Sequence, residues 1–230
     1  MKKQIYLLTA ALTPFFCAWV YFDLLDGSAL AKWIYLASKA FILIFPLLYI
    51  YFAAGKLDFK KSFRFDLRQF AYGTLCGIMI FGLGFLLLKI PAVMQIAALA
   101  RPAVESKMVN FSVSGHFVLM ALIISFFHSM LEEYYWRLFL YGELAKIMRG
   151  KYLPHLLAGV AFSLHHFIVV KMYFPAIYAF AFTFAIAAGG IIFSLLYAQK
   201  KNIWGAWAAH VCADLLIFYA GGLILGLQRV

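Results

Sequence analysis

Two adjacent glutamates, Glu132 and Glu133, followed four residues later by Arg137, lie inside the apolar stretch Phe117 to Tyr141. A charge at bilayer depth costs several kcal/mol, so ionisable side chains there are a functional-site hypothesis by default. Two later apolar stretches carry further polar groups, His165-His166 in one and His210 with Asp214 in the other. On an α-helix, positions i and i+4 share a face. His128 therefore lies one turn before Glu132, and Glu133 one turn before Arg137. The two carboxylates stand about 100° apart, which predicts a division of labour. Glu133 pairs with Arg137 to hold helices together, whereas Glu132, with no opposite charge on its own helix, is free to face a cavity as a catalytic carboxylate. His210 and Asp214 repeat the i, i+4 spacing. His165 and His166 are neighbours, so they are not expected to face the same cavity, and spacing leaves open which of them does. Counted from the helix ends, Glu132, His166, His210 and Asp214 fall within a few turns of the membrane midplane. Four polar groups from three helices are thus placed to form one site.

The elements that must position these residues follow from composition. Of the 230 residues 66% are hydrophobic and 13% charged, with mean hydropathy +0.92, far from the balance of a water-soluble domain. Apolar runs long enough to cross a hydrocarbon core about 30 Å thick occur at Ile5 to Phe22, Trp33 to Phe52, Phe70 to Ile90, Phe117 to Tyr141, Leu153 to Val170, Pro175 to Ala198 and Ile203 to Leu225. The expected fold is an all-α polytopic membrane helix bundle of about seven, up to eight, transmembrane helices. It forms a single transmembrane domain over 1–230. Residues 1–115 supply N-terminal helices with a basic interfacial segment near 56–69, and 116–226 supply the catalytic core.

Lys and Arg accumulate on the cytoplasmic side of short loops. With the N-terminus inside, that side holds Lys2, Lys3, Lys56, Lys60, Lys61, Arg64, Arg68, Lys146, Arg149, Lys151, Lys200 and Lys201. The other side holds half as many, Lys32, Lys89, Arg101, Lys107, Lys171 and Arg229. This predicts a multi-pass cell-membrane protein, N-terminus cytoplasmic and C-terminus external, and its compact size with a Met-Lys-Lys start points to a bacterial inner membrane. The net charge of +11 is then an orientation signal facing anionic lipid and calls for no nucleic acid. Phe15-Phe16-Cys17-Ala18-Trp19 is too bulky for a signal-peptidase site, so the first span is expected to be retained. The C-terminal Leu227-Gln228-Arg229-Val230 has no prenylation cysteine.

Cys17, Cys76 and Cys212 lack CxxC spacing, which excludes a disulfide framework or zinc ribbon. Cys212 and His210, two residues apart, point to different helix faces. The run 56–69 alternates basic residues with Leu57, Phe59, Phe63, Phe65 and Leu67, as an interfacial amphipathic segment or an ordinary basic loop would. The first half of the connection Pro91 to His116 is apolar enough to re-enter the membrane. Gly73 with Gly77, and Gly222 with Gly226, have the spacing that permits close helix approach. Lys39, in the middle of the second span, fits snorkelling, a pairing with Asp214 or a glutamate, or contact with a substrate carboxylate.

Glu-Glu-x-x-x-Arg (Glu132, Glu133, Arg137), Phe-x-x-x-His (Phe162, His166) and His-x-x-x-Asp (His210, Asp214), in that order on successive helices, resemble the CPBP intramembrane proteases (Abi, CAAX-protease and bacteriocin-processing). The resemblance covers Phe117 to Leu225; the first three spans match only in being hydrophobic. It favours His166 over His165 and implies a glutamic peptidase, in which Glu132, assisted by His166, activates a water while His210 and residue 214 stabilise the oxyanion. His128, His165, Glu133 and Arg137 are supporting residues. Asp214 stands where the pattern often has Asn. An ionised Asp cannot donate to an oxyanion, so Asp214 is expected to orient and charge His210.

No cofactor is obligatory in this reading. The alternative is zinc on Glu132, His166 and His210, with His128 and Asp214 as further donors of the kind zinc accepts. The implied hydrolase acts on a membrane-embedded or membrane-delivered peptide or protein, such as a C-terminal tail, sorting anchor or prenyl-type substrate. A non-catalytic immunity or scaffold protein of the same fold and a proton-coupled transporter are the alternatives. The sequence has no HExxH, Gly-x-Gly-Asp or Gly-x-Ser motif for another class of intramembrane protease.

Overall fold

A computed structural model describes residues 2–53, 56–110 and 116–227. Among these residues seven helices are long and apolar enough to cross a membrane: α1 (Lys3–Leu24), α2 (Ala29–Ala53), α4 (Leu67–Leu88), α7 (Phe117–Ile147), α8 (Leu153–Lys171), α9 (Ala176–Lys200) and α10 (Ile203–Ile224). Three short helices intervene, α3 (Phe59–Phe63), α5 (Pro91–Ala98) and α6 (Arg101–Asn110). Every anticipated span is present and no strand occurs among the described residues. The chain is an all-α multi-pass membrane protein. The connection after α4 folds as α5 and α6, and the eight residues of α5 are too few to cross a bilayer. Residues 111–115 of that connection, and the C-terminal Gln228, Arg229 and Val230, lie outside the described residues.

The distribution of side chains inverts that of a water-soluble protein. Ile78, Leu83, Ile177 and Phe184 are 58, 62, 72 and 74% exposed, whereas Glu132, Glu133, Arg137 and His210 are buried. Lipid tails are the solvent that suits both halves of this pattern.

Helix ends follow local chemistry. Asp66 caps α4 by accepting from the Gln69 N–H at 3.0 Å, and Asn202 caps α10 by accepting from Trp204 N–H at 3.1 Å. Gly226, with φ +71°, ends α10, its N–H donating to the Leu223 carbonyl and Leu227 N–H to that of Gly222. Gly226 of the pair Gly222 and Gly226 therefore terminates a helix.

The basic segment 56–69 is an ordered cap on the α9–α10 turn. Asn202 Nδ2 donates to the Arg64 carbonyl at 2.7 Å, Trp204 Nε1 to that of Phe63 at 3.0 Å, and Lys200 pairs with Asp66 at 2.8 Å. The Lys200 hydrogen bond, helped by the Gln69 N–H, holds the Asp66 carboxyl below the usual carboxylate range. Phe65 and Leu67 point outward from this basic cap, 56 and 70% exposed.

Two close helix pairs build the core around α7. In one, α4 meets α10 through Gly73 and Gly77, where a Cβ would lie 1.9 Å from the Gly205 carbonyl oxygen and 2.8 Å from Cys212 Cβ, respectively. In the other, α8 meets α9 through Gly159 and Gly190; a Cβ on Gly190 would lie 3.0 Å from Gly159 Cα. Cys212 thus faces α4 as a packing residue. Gly73→Ala should force α4 and α10 apart and lower stability by about 1–3 kcal/mol, as overpacking does. The control is Gly82→Ala, where nothing lies within 4 Å. Thermal unfolding in detergent checks this, with Gly82→Ala expected to match the parent protein.

Helix α7 itself is irregular. Its α-helical turns alternate with π-helical stretches at Ile124–His128 and Tyr134–Tyr141, which bracket the short α-helical segment Ser129–Glu133. Such wide turns leave carbonyls without their usual partner and recur at functional sites. Trp207 Nε1 takes up one of them, donating to the Phe126 carbonyl at 2.9 Å. The same helix repairs a neighbour: Pro14 in α1 has no N–H to give the Ala10 carbonyl, and the Tyr135 hydroxyl donates to it at 2.8 Å. At the other end of α7 the buried Glu143 accepts from the Tyr49 hydroxyl at 2.7 Å and pairs with Lys146, tying α2 to α7.

Candidate active site

Glu132 is the hub of the buried polar cluster. Its Oε1 lies 3.4 Å from His128 Nε2 on its own helix and 3.4 Å from His165 Nε2 on α8. Its Oε2 lies 3.6 Å from His210 Nε2 on α10. Glu133, one residue on, faces the other way into the ion pair that spacing anticipated, with Oε1 at 2.9 Å from Arg137.

Arg137 is 1% exposed and enclosed. Its guanidinium carbon lies 4.4 Å from the ring centre of Phe162 and 5.0 Å from that of Phe193, and a terminal nitrogen donates to the Gly190 carbonyl at 3.4 Å. Aromatic faces attract a cation most strongly when water is excluded. The phenylalanine of the Phe-x-x-x-His motif therefore serves the arginine of the Glu-Glu-x-x-x-Arg motif, and links two motifs that spacing treats separately.

The adjacent histidines depart from expectation. His165 and His166 both reach the cluster, their ring centres 4.0 Å apart, and one ligand atom from each and one from Glu132 lie within 4.8 Å of one another. Helix α8 presents the seam between the two residues to α7, and imidazoles long enough to lean inward close the 100° gap between their Cβ directions. His165 is stacked flat on Trp136, at 5.3 Å and 2°. His166 Nδ1 lies 2.9 Å from the Phe162 carbonyl. A carbonyl only accepts, so that nitrogen carries the hydrogen and Nε2 has the lone pair directed away from the backbone.

His210 corrects the role expected of Asp214. Its Nδ1 lies 2.7 Å from Glu133 Oε1, while Asp214 Oδ1 is 3.6 Å from Nε2. Glu133 orients the ring, and Asp214 adds negative charge on the side of the lone nitrogen. An i+4 carboxylate on the same helix lies beside the imidazole, whereas Glu133 on the facing helix meets it end-on. Phe193 covers the ring, stacked at 5.0 Å and 20°. Phe193, Gly190 and Trp136 are site residues that sequence reasoning missed, and apolar residues within apolar helices give no signal by which to find them. Lys39 does carry one, its charge in mid-span. It reaches His128, with Nζ 3.4 Å from each ring nitrogen, and among the described residues pairs with neither Asp214 nor a glutamate.

Zinc is the ion whose donors this cluster offers. Among the described residues the three groups whose ligand atoms lie together are Glu132, His165 and His166, and His210, with Nδ1 on Glu133 and Nε2 3.6 Å from Glu132 Oε2, has the carboxylate-backed arrangement usual for a ligating imidazole. The donor types suit zinc, and the 3.4 Å between Glu132 Oε1 and His165 Nε2 is close to the edge of a tetrahedron with metal–ligand distances of about 2.1 Å.

Fold and site together define a multi-pass membrane protein with a charged cluster enclosed by its own helices. Residues 114–216 match the family described as type II CAAX prenyl endopeptidase Rce1-like. The match spans just under half of the chain and includes all three motifs. No curated protein and no solved structure matches the chain.

Proposed function

We propose that the protein is an intramembrane endopeptidase that hydrolyses a peptide bond in a membrane-associated peptide or protein, with Glu132 as general base. The carrying observation is the position of Glu132: buried, with imidazoles of three helical segments around its two oxygens and Arg137 assigned elsewhere. A water lying between Glu132 and His166 Nε2 loses a proton to the carboxylate as its oxygen bonds to the scissile carbonyl carbon. The proton then passes to the amide nitrogen as the C–N bond breaks. To donate to the oxyanion from Nε2 while Nδ1–H holds Glu133, His210 must be an imidazolium, and Glu133 and Asp214 are the carboxylates that balance it. A donor so placed contributes about 3 kcal/mol.

The test is cleavage in liposomes by the purified protein, with a prenylated C-terminal peptide and a single-span peptide as substrates in water enriched in oxygen-18. The expected result is one heavy oxygen in the new carboxyl group. Proton-driven flux without cleavage would point to the transporter instead, and neither cleavage nor flux to a binding role.

The trio Glu132, His165 and His166 supports a second reading, in which a metal held there polarises the carbonyl. Dialysis against a zinc chelator separates the two. The glutamate mechanism predicts full retention of turnover; loss restored by zinc favours the metal.

A further inference from the structure

Lys39 is the charged group near the cluster that the proposed hydrolysis does not use. It belongs to α2, outside the matched segment, and is half-buried with Nζ 5.1 Å from the ring centre of Tyr35. Placing an ammonium at that depth is costly unless something compensates it. Among the described residues it forms no ion pair with a carboxylate, and its polar contact is His128, 3.4 Å from either ring nitrogen.

An ammonium has three donors and no acceptor, so it can only give a hydrogen bond, and only a bare ring nitrogen can take it. Of the two ring nitrogens, Nε2 also lies 3.4 Å from Glu132 Oε1, and an ionised carboxylate only accepts. One arrangement satisfies both neighbours: Nδ1 accepts from Lys39 and Nε2–H donates to Glu132. The lysine thereby selects the tautomer of His128, and its charge lies one imidazole away from the charge of Glu132. With His165 on the same oxygen, Oε1 is held by two donors, and Oε2, which faces the proposed oxyanion donor His210 at 3.6 Å, is the oxygen that takes the proton of the water.

We infer that Lys39 is a positioning residue for hydrolysis, acting through His128 to fix the orientation of Glu132. The inference rests on the reading of Glu132 as the base. Groups that hold a catalytic ligand from behind typically contribute 10–100-fold.

The test is steady-state kinetics of the full-length protein in liposomes. Lys39→Met should lower kcat by about 10–100-fold with KM and folded yield unchanged, and Lys39→Arg should restore most of the loss. His128→Ala should reproduce the defect, and Lys39→Met/His128→Ala should be no worse than either. A rise in KM at constant kcat would overturn the inference by showing that Lys39 holds substrate. Unchanged kinetics, or a loss that follows folded yield in both lysine variants, would also overturn it. Glu132→Gln run in parallel keeps the outcomes distinct: turnover by that variant defeats the base itself, whereas an inactive Glu132→Gln beside a normal Lys39→Met defeats only the role of the lysine.

Discussion

Glu132→Gln should lower kcat by about 10³–10⁴-fold while leaving the folded yield near that of the parent protein. Loss of a positioned general base typically costs 10²–10⁴-fold, and the upper part of that range applies because no second carboxylate can replace it. Glu133 is held by Arg137 and His210, and Asp214, 3.6 Å from His210 Nε2, is committed to balancing that ring. Gln preserves the volume of the side chain and one acceptor for His128 and His165, so the packing of the buried cluster survives. His166→Ala should be nearly as damaging. The double variant should be little worse than Glu132→Gln alone, because residues that act as a unit have non-additive effects. Single-turnover cleavage with oxygen-18 incorporation measures all three. Substantial turnover by Glu132→Gln would remove the carboxylate from the chemistry, as base and as metal ligand alike, and transfer the task to His166.

The parts of this site that the sequence made legible share a cause. A charge within an apolar helix stands out, and α-helical spacing then says what it meets on its own helix, as with Glu133 and Arg137 at 2.9 Å. The seven spans were legible for the same reason, since hydropathy over some twenty residues is a strong signal. What spacing does not encode is the relative rotation of two helices. That His165 and His166 both reach Glu132, and that Glu133 and not Asp214 holds His210 at 2.7 Å, depends on which seam of α8 and α10 faces α7. Those rotations are fixed largely by glycines. Gly73 against Gly205 and Gly159 against Gly190 allow backbone-to-backbone contact, but GxxxG-like spacing is too common to announce which pairs will be used. Lys39 was conspicuous from its charge, yet its partner lies on another helix 89 positions away. Phe193 was invisible because an aromatic ring that shields a guanidinium looks, in sequence, like one that shields a lipid tail.

Arg137→Ala should act on folding before it acts on chemistry. Removing one partner of a buried ion pair costs about 3–5 kcal/mol, because the other charge remains buried without compensation. Here the remaining charge would be Glu133, 0% exposed and left, among the described residues, with His210 as its sole ionic neighbour. The cavity left between Phe162 and Phe193 adds lost cation–π contact and packing. The expected outcome is a large fall in monodisperse protein on size exclusion and a lower unfolding midpoint. Arg137→Lys should fall between, since an ammonium lacks the planar fork that serves Glu133 and the Gly190 carbonyl together. The informative variant is Glu133→Gln/Arg137→Met, which removes both charges at similar volume. Neutral replacement of a buried pair is often tolerated, so yield should recover. Turnover should stay low, because Gln at position 133 no longer supplies the charge that holds His210 from behind. Normal yield of Arg137→Ala with catalysis abolished would instead place the guanidinium among the reacting groups, and the division of labour between the two neighbouring glutamates would have to be redrawn.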